Sequence, residues 1–381
     1  MSIALIGEPS KPMPMGSYDS RDVVFLLKDI SGMLTETSTE EREGRIQSGG
    51  HYSEMLPIEY NPSREYMDLF FQTLQETAQK VALAAGIVSE LILAKKGAKV
   101  VLVSLARAGT PVGILMKRYL SKVYQLDIPH YSISIIRGKG IDENAIRYIL
   151  RNHPEGVIQF VDGWTGKGAI TRELTKACQD YYQMHGYQLD DDLAVLADPG
   201  HCAQLFGTRE DFLIPSACLN STVSGLVSRT VYREDLITQG DFHGAKFYKE
   251  LSKEDVSNLF VDTVSAYFTS VMQQAKTLAK EHQEQTTQVT WQGLEVVRKL
   301  QKRFNLGDIN LIKPGVGETT RVLLRRTPWK ILVDNKDNPN LKHILILAAN
   351  KGVPVEVCPD LSYSCCGLIL PLRETTDDFC Q

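Results

Sequence analysis

A strand-like run that ends in a carboxylate and continues into a glycine-rich turn is the most chemically informative stretch of the chain. Residues 157–170 read VIQFVDGWTGKGAI, in which Asp162 closes the apolar run and a helical pattern follows the turn. The turn consists of Thr165, Gly166, Lys167 and Gly168. Backbone N–H groups at such a helix N-terminus bind anions, and the carboxylate can hold sugar hydroxyls or a metal ion. The pattern predicts a phosphate cradle, and a plain strand-to-helix turn is the alternative.

Two further turns after β-rich runs carry cations. The run 100–105 precedes Arg107 and Gly109, and the run 130–136 is followed by Arg137 and Lys139. A guanidinium group offers paired donors to phosphate oxygens. These residues are therefore candidate ligands for phosphate oxygens. The alternatives are a glycine turn before a proline and a solvated cationic turn.

A third glycine-rich turn lies near the C-terminus and precedes a helical pattern with basic residues. The residues of this segment that could contact a bound molecule are Gly315, Gly317, Glu318, Arg321 and Arg325. The formal net charge of the whole chain is −4 and its pI is about 6.1, so this local positive charge stands out against an acidic background. Such a patch predicts contact with phosphates, and a solvated basic face is the alternative.

These residues need strands whose carboxyl ends meet at one edge of a sheet. Apolar runs at 100–105, 130–136, 157–161 and 193–197 alternate with helical patterns. This alternation is typical of a doubly wound α/β fold with a mostly parallel sheet. Ligands in open α/β sheets bind beyond the carboxyl ends of the strands, where the candidate residues lie.

The length of 381 residues predicts more than one domain. We place an α/β domain at 1–245, a helical bridge at 246–304 and a small C-terminal α/β domain at 305–381. The bridge is predicted from a capping box at 252–255 and the helically spaced apolar residues behind it.

Cysteine usage and the lack of a targeting pattern indicate the compartment. The seven cysteines are odd in number and show no paired Cys-x-x-Cys spacing, which favours free thiols in a reducing environment. No basic segment precedes an apolar run at the N-terminus, and no 18 apolar residues run together. We expect a cytoplasmic protein without a membrane partner. A homo-oligomer is compatible with the sequence.

The segments around Arg107, Arg137 and Asp162 resemble, in this order, the loops of type I phosphoribosyltransferases. The resemblance implies that residues 165–168 hold a 5′-phosphate and that Asp162 holds the ribose and Mg²⁺. Arg107, Arg137 and Lys139, with the loop of Gly109, would bind pyrophosphate. The implied reaction transfers phosphoribose from phosphoribosyl pyrophosphate to a base or base-like acceptor, with catalysis by positioning and electrostatics.

Residues 305–372 resemble the L7Ae/Pelota class of RNA-binding domains. The matching elements are the glycine-rich turn and its helix, an apolar strand at 329–333, a helix at 341–349 and the Gly-Val-Pro strand at 351–357. The resemblance implies that the start of the first helix approaches structured RNA. Glu318 would then accept from a base edge, and Arg321 would meet the backbone.

The principal hypothesis is a phosphoribosyltransferase coupled to RNA binding in a stress response. Gly163 stands where that family has a second acidic residue, which leaves a non-catalytic nucleotide-binding RNA regulator open. The architecture also resembles the bacterial stress- and tellurite-resistance-associated StiP family, which is labelled a cysteine protease. In a cysteine hydrolase the nucleophile would be Cys202, beside His201, or Cys218.

Overall fold

Two larger sheets, each with its own helices, and three two-stranded sheets organise the described part of the chain. The computed structural model describes residues 9–38, 41–42, 44–45, 49–285 and 288–370, without the side chain of Arg325. The strands are β1 Val24–Phe25, β2 Lys28–Asp29, β3 Glu36–Thr37, β4 Leu56–Pro57, β5 Val100–Leu105, β6 His130–Ile133, β7 Ile135–Ile136, β8 Gly140–Ile141, β9 Val157–Trp164, β10 Leu193–Ala197, β11 Leu205–Thr208, β12 Gly244–Ala245, β13 Ile312–Pro314, β14 Pro328–Val333, β15 Val355–Val357 and β16 Cys365–Ile369. The helices are α1 Arg64–Lys96, α2 Gly109–Tyr124, α3 Glu143–Asn152, α4 Ala169–His185, α5 Ser257–Ser265, α6 Phe268–Glu284, α7 Gln292–Arg303, α8 Val316–Arg325 and α9 Lys342–Asn350.

The N-terminal domain is built on a six-stranded sheet in the order β1-β6-β5-β9-β10-β11, and every neighbouring pair is parallel. Hydrophobic cores cover both faces, because Leu102 of β5 packs into one core while Val101 and Val103 pack into the other. All six residues of β5 are buried, as expected for a strand with helices on both sides. The predicted α/β fold with a mostly parallel sheet is confirmed.

Helix α1 is the long core helix of the N-terminal domain. By length and composition alone it could cross a membrane, but 61% of its most apolar window is buried inside the protein. A Cβ on Gly86 would lie 2.8 Å from the Tyr119 ring and 2.9 Å from Cβ of Ala275. The missing side chain therefore lets α1 approach α2 and α6 closely.

The C-terminal domain is built on a four-stranded mixed sheet in the order β13-β16-β14-β15, in which only β14 and β15 pair in parallel. Leu332 of β14 packs into a core with Val297 of α7, whereas Ile331 and Val333 pack on the opposite face with α8 and α9. That second face belongs to the same hydrophobic cluster as residues of the N-terminal domain. The two domains therefore share apolar contacts.

The segment predicted as a helical bridge divides between the two domains. Helices α5 and α6 contribute Phe260, Phe268 and Val271 to the core around α1. Helix α7 contributes Val297 and Leu300 to the core of the C-terminal domain. The predicted boundaries at 246 and 304 stay a prediction.

Candidate functional site

The glycine-rich turn, residues 165–168, lies at the carboxyl edge of the main sheet between β9 and α4. Gly168 adopts a φ of +71°, and a Cβ there would lie 2.3 Å from Cζ3 of Trp291. The hydroxyl of Thr165 donates to Oδ1 of Asp198 at 2.5 Å. The turn is therefore fixed by the loop after β10 on one side and by the C-terminal domain on the other.

The loop at 198–202 brings a thiol beneath this turn. Sγ of Cys202 lies 3.1 Å from the carbonyl oxygen of Gly200 and 3.7 Å from that of Gly166, and both oxygens accept from the thiol. The amide of Cys202 donates to Oδ1 of Asp198 at 2.8 Å. Burial, and then the charge of Asp198, raises the pKa of the Cys202 thiol to about 12. In this arrangement the thiol is protonated and unreactive, because the thiolate is the nucleophile.

His201 precedes this cysteine in a left-handed backbone conformation, with a φ of +54°. Burial, and then the charge of Arg209, lowers the pKa of His201 below its usual value. A neutral imidazole can accept a proton. A basic group therefore lies beside the thiol in sequence.

The start of α7 covers the loop at 198–202. The amide of Trp291 donates to the carbonyl oxygen of His201 at 3.0 Å, and the amide of Gly293 donates to that of Gly200 at 3.1 Å. A Cβ on Gly293 would lie 2.8 Å from Cα of Gly200, so only glycine permits this approach. The contact is made by backbone against backbone.

Tyr363 completes the cover from the C-terminal domain. Its buried hydroxyl donates to the carbonyl oxygen of Gly166 at 3.1 Å. We call Trp291, Gly293 and Tyr363 the C-terminal cover. Because these residues contact the turn or the loop around Cys202, the thiol is closed off by a different domain from its own.

A cavity of about 290 Å³ opens beside the turn, between the two domains. Its charged lining consists of Arg137, Asp162, Lys167, Lys313, Glu318 and Arg321. Burial raises the pKa of Asp162 to about 7, against the opposing effects of the Gly163 amide and Arg321. Burial, and then the charges of Lys313 and Arg137, lowers the pKa of Lys167 to about 8. The interdomain cavity is therefore rich in cations that repel one another.

The predicted roles of Lys167 and Asp162 as phosphate and magnesium ligands stay predictions, and the structure shows the present partners of Lys167. The ammonium group of Lys167 donates to the carbonyl oxygen of Ile309 at 2.7 Å and to Oδ1 of Asn310 at 3.1 Å, so it is already bound to the C-terminal domain. Within the described ranges, no three His, Cys, Asp or Glu side chains are grouped to hold a metal ion. Asp162 and Glu318 are the carboxylates of the cavity lining, and Mg²⁺ binding by Asp162 stays a prediction. We derive no metal-dependent step.

Arg107 and Gly109 have other partners than a diphosphate. Arg107 donates to the carbonyl oxygen of Val227 at 3.2 Å and lies 3.8 Å from the carboxylate of Glu59. A Cβ on Gly109 would lie 2.4 Å from the carbonyl oxygen of Val161. Gly109 therefore allows α2 to pack closely on β9.

Arg137 and Lys139 follow β7 and lie on the surface. Arg137 lines the interdomain cavity, and its guanidinium group lies 5.6 Å from the ring centroid of Tyr52. The ammonium group of Lys139 lies 5.9 Å from the ring centroid of Tyr232. The structure thus brings Arg137 together with Asp162 and Lys167, whereas Lys139 is not in the lining of this cavity.

The predicted RNA-binding residues at the start of α8 face the N-terminal domain. Gly315 has a φ of +91°, and the amide of Val316 donates to Oδ1 of Asp211 at 2.8 Å. A Cβ on Gly317 would lie 3.3 Å from Cβ of Ala217. Both glycines are buried. In this arrangement an N-terminal-domain carboxylate binds the helix N-terminus, and the RNA-binding role of these residues stays a prediction.

Two charged residues of α8, Glu318 and Arg321, also lie at the N-terminal domain. Arg321 lies 4.9 Å from the ring centroid of Trp164, donates to the carbonyl oxygen of Ala217 at 3.3 Å and pairs with Glu318 at 3.1 Å. The side chain of Arg325 lies outside the described part. Arg321 is therefore an interdomain contact in this arrangement.

Asp211 is the interdomain residue that the sequence analysis missed. Its Oδ1 accepts the amide of Val316, its Oδ2 accepts the amide of Ser364 at 2.9 Å, and its carbonyl oxygen accepts the hydroxyl of Ser364 at 3.0 Å. Burial raises the pKa of Asp211 to about 7 against the opposing amide donors. No local pattern at 209–211 signals partners more than 100 residues away.

Fold and site together define a two-domain α/β protein whose strand-end loops, with a buried thiol among them, are closed by a small C-terminal domain. The chain belongs to the StiP family. The family model described as tellurite-like stress resistance cysteine protease StiP matches residues 16–265, and the PELOTA RNA binding domain model matches residues 291–371. Cysteine protease StiP of Acinetobacter baylyi is 35% identical over 354 residues, which cover 91% of each chain.

These comparisons correct the principal hypothesis. The family model and the curated relative both name a cysteine protease, so the predictions of phosphoribosyl transfer and of a glycosyltransferase were wrong. The comparisons do not support phosphoribosyl pyrophosphate as a ligand. The Pelota-type RNA-binding domain and the stress-resistance family are confirmed. Of the hypotheses drawn from the sequence, the cysteine hydrolase agrees best with these findings.

Proposed function

We propose that this protein is a cysteine hydrolase that cleaves peptide bonds, with Cys202 as the nucleophile and an RNA-binding C-terminal domain that controls access to it. The observation that carries this proposal is the position of the Cys202 thiol, which lies at the strand-end edge of the sheet under the C-terminal cover. The name of the Acinetobacter relative supports the class of reaction. By contrast, Cys178 and Cys366 belong to hydrophobic cores.

The proposed reaction is an acyl transfer. The Cys202 thiolate attacks the carbonyl carbon of a peptide bond, a sulfur–carbon bond forms, the carbon–nitrogen bond breaks, and the amine leaves with a proton. Water then hydrolyses the thioester, which releases the carboxylic acid and restores the thiol. His201 is the candidate base, because its lowered pKa keeps the imidazole neutral and able to take the thiol proton.

Activation requires the C-terminal cover to move. In the closed arrangement the thiol is buried and donates to backbone carbonyl oxygens, and burial raises its pKa to about 12. The residues at the start of α8 that match the RNA-binding pattern are occupied by Asp211, Ala217 and Trp164. An RNA that engages them competes with this domain contact. RNA binding is therefore the proposed event that exposes Cys202.

The test is hydrolysis of fluorescent casein by the full chain, with and without a kinked stem RNA. We expect RNA to raise the rate and Cys202→Ser to lower it on the order of 10³-fold or more. The matched control is Cys178→Ser, which should keep wild-type activity because Cys178 packs in a hydrophobic core of the N-terminal domain. Unchanged activity in Cys202→Ser would overturn the assignment of the nucleophile.

A further inference from the structure

Cations from both domains meet at the carboxyl edge of the main sheet. Lys313 of β13 lines the interdomain cavity together with Lys167 and Arg137. Arg229 and Arg137 both lie over the ring of Tyr52, at 4.6 and 5.6 Å from its centroid. We call Arg137, Arg229, Lys167 and Lys313 the cationic track. Its members come from separate segments of the chain and from two domains, so folding brings them together.

These cations act on one another electrostatically. Burial, and then the charges of Arg42, Arg107 and Arg137, lowers the pKa of Arg229 to about 10. Burial, and then Arg326 and Arg137, lowers the pKa of Lys313 against the effect of Glu318. Arg137 acts on Lys167 as well. It therefore links the cations of the cavity to those around Tyr52.

Glu318 and Asp308 act on Lys313 electrostatically from beyond ion-pair distance. Among the described residues, no carboxylate lies within ion-pair distance of Arg137, Arg229 or Lys313. Partly buried like charges repel one another, and a bound anion relieves that repulsion. Such a cluster is notable in a chain whose formal net charge is −4. The charge pattern therefore favours binding of an anionic ligand at the carboxyl edge of the main sheet.

We propose that the cationic track binds the phosphodiester backbone of an RNA strand held by the C-terminal domain, and that Arg137, Arg229 and Lys167 keep this contact on the N-terminal domain when the start of α8 is displaced. One end of the track, Lys313, lies inside the segment matched by the PELOTA RNA binding model. The track then extends through Arg137 to Arg229, which suits a chain of phosphates better than a single one. The inference rests on the RNA-binding part of the proposed function and is independent of Cys202.

The variant that tests the track is Arg137→Glu, because Arg137 is exposed and its replacement is therefore expected to leave the fold intact. Binding of a fluorescent stem RNA with a single-stranded extension to the full chain is measured by anisotropy at several salt concentrations. We expect the variant to bind at least about tenfold more weakly and to lower the slope of log K against log salt by about one. Lys99→Glu is the control, since Lys99 is exposed and pairs with Glu155 elsewhere.

The outcomes separate the two proposals. If the wild type binds no RNA at low salt, the RNA-binding part of the proposed function fails. If the wild type binds but Arg137→Glu binds equally well, only the track is overturned. A third arm adds polyphosphate of matched charge, which should displace the RNA weakly. Displacement at equal phosphate concentration would overturn RNA as the specific ligand and leave a general polyanion site.

Discussion

Removal of the Asp211 carboxylate should detach the two domains from one another. Oδ1 and Oδ2 accept the amides of Val316 and Ser364 at 2.8 and 2.9 Å, and both amides are buried in the interface. In Asp211→Ala each amide loses its partner. An unsatisfied buried donor costs about 1–3 kcal/mol, so the loss in interdomain stability is about 2–6 kcal/mol. That is a large fraction of the stability of a typical domain, about 5–15 kcal/mol.

The assay is urea unfolding followed by tryptophan fluorescence. Trp164 and Trp291 lie at the interdomain contact, whereas Trp329 packs on Phe304 within the C-terminal domain. We expect Asp211→Ala to show an early transition reported by the interface tryptophans, before global unfolding.

The matched control is Asp180→Ala, which removes an exposed pair with Lys176. Such surface pairs contribute at most about 1 kcal/mol, so the control should unfold like the wild type. If Asp211→Ala unfolds in one transition within about 0.5 kcal/mol of the wild type, the assignment of Asp211 as the interdomain anchor is wrong.

Three further outcomes are expected. Trp291→Ala should raise the rate of Cys202 alkylation by iodoacetamide at least about tenfold, and an unchanged rate would show that the indole does not limit access. Gly168→Ala should lower the free energy of unfolding by about 1–2 kcal/mol, because the residue has a φ of +71° and its Cβ would meet Trp291; equal thermal stability would contradict the tight contact. Burial raises the folded-state pKa of Asp211 to about 7, above its ordinary 3.8. Between about pH 4 and pH 7 the folded chain therefore keeps a proton that the unfolded chain has released, and the contribution of this carboxyl group to the free energy of unfolding falls as pH rises. Urea unfolding across that range should therefore show a shallower decline in Asp211→Asn than in the wild type, and parallel curves would refute the raised pKa.

The main sheet could be predicted from the sequence because its strands are buried on both faces. Continuous apolar runs such as 100–105 identify these strands without any knowledge of their neighbours. The turn after Asp162 was also evident, since a glycine cluster marks the start of α4. These signals are local, and the main-chain geometry that they require is local too.

The closure of the site could not be predicted in the same way. The contacts of Asp211 with Val316 and of Tyr363 with Gly166 join residues 105 and 197 positions apart. The residue types give no indication of such pairings, because an aspartate near a strand end and a tyrosine in a loop are common. The RNA-binding pattern of α8 was visible, but its occupation by another domain depends on tertiary packing alone.

The backbone contact between Gly293 and Gly200 joins two domains of the same chain, and this connection lets a weak contact keep the protein closed. The C-terminal domain is tethered to the N-terminal domain by the short connection between α6 and α7, so the two surfaces meet at an effective concentration on the order of millimolar. A contact with an intrinsic Kd of about 10 µM, too weak to join two dilute chains, would then remain closed about 99% of the time. A ligand that prefers the open form by only about 2.7 kcal/mol would bring the two forms into balance. The tether thus permits a cover that is closed in nearly all molecules and yet opens when a ligand with a modest preference for the open form binds.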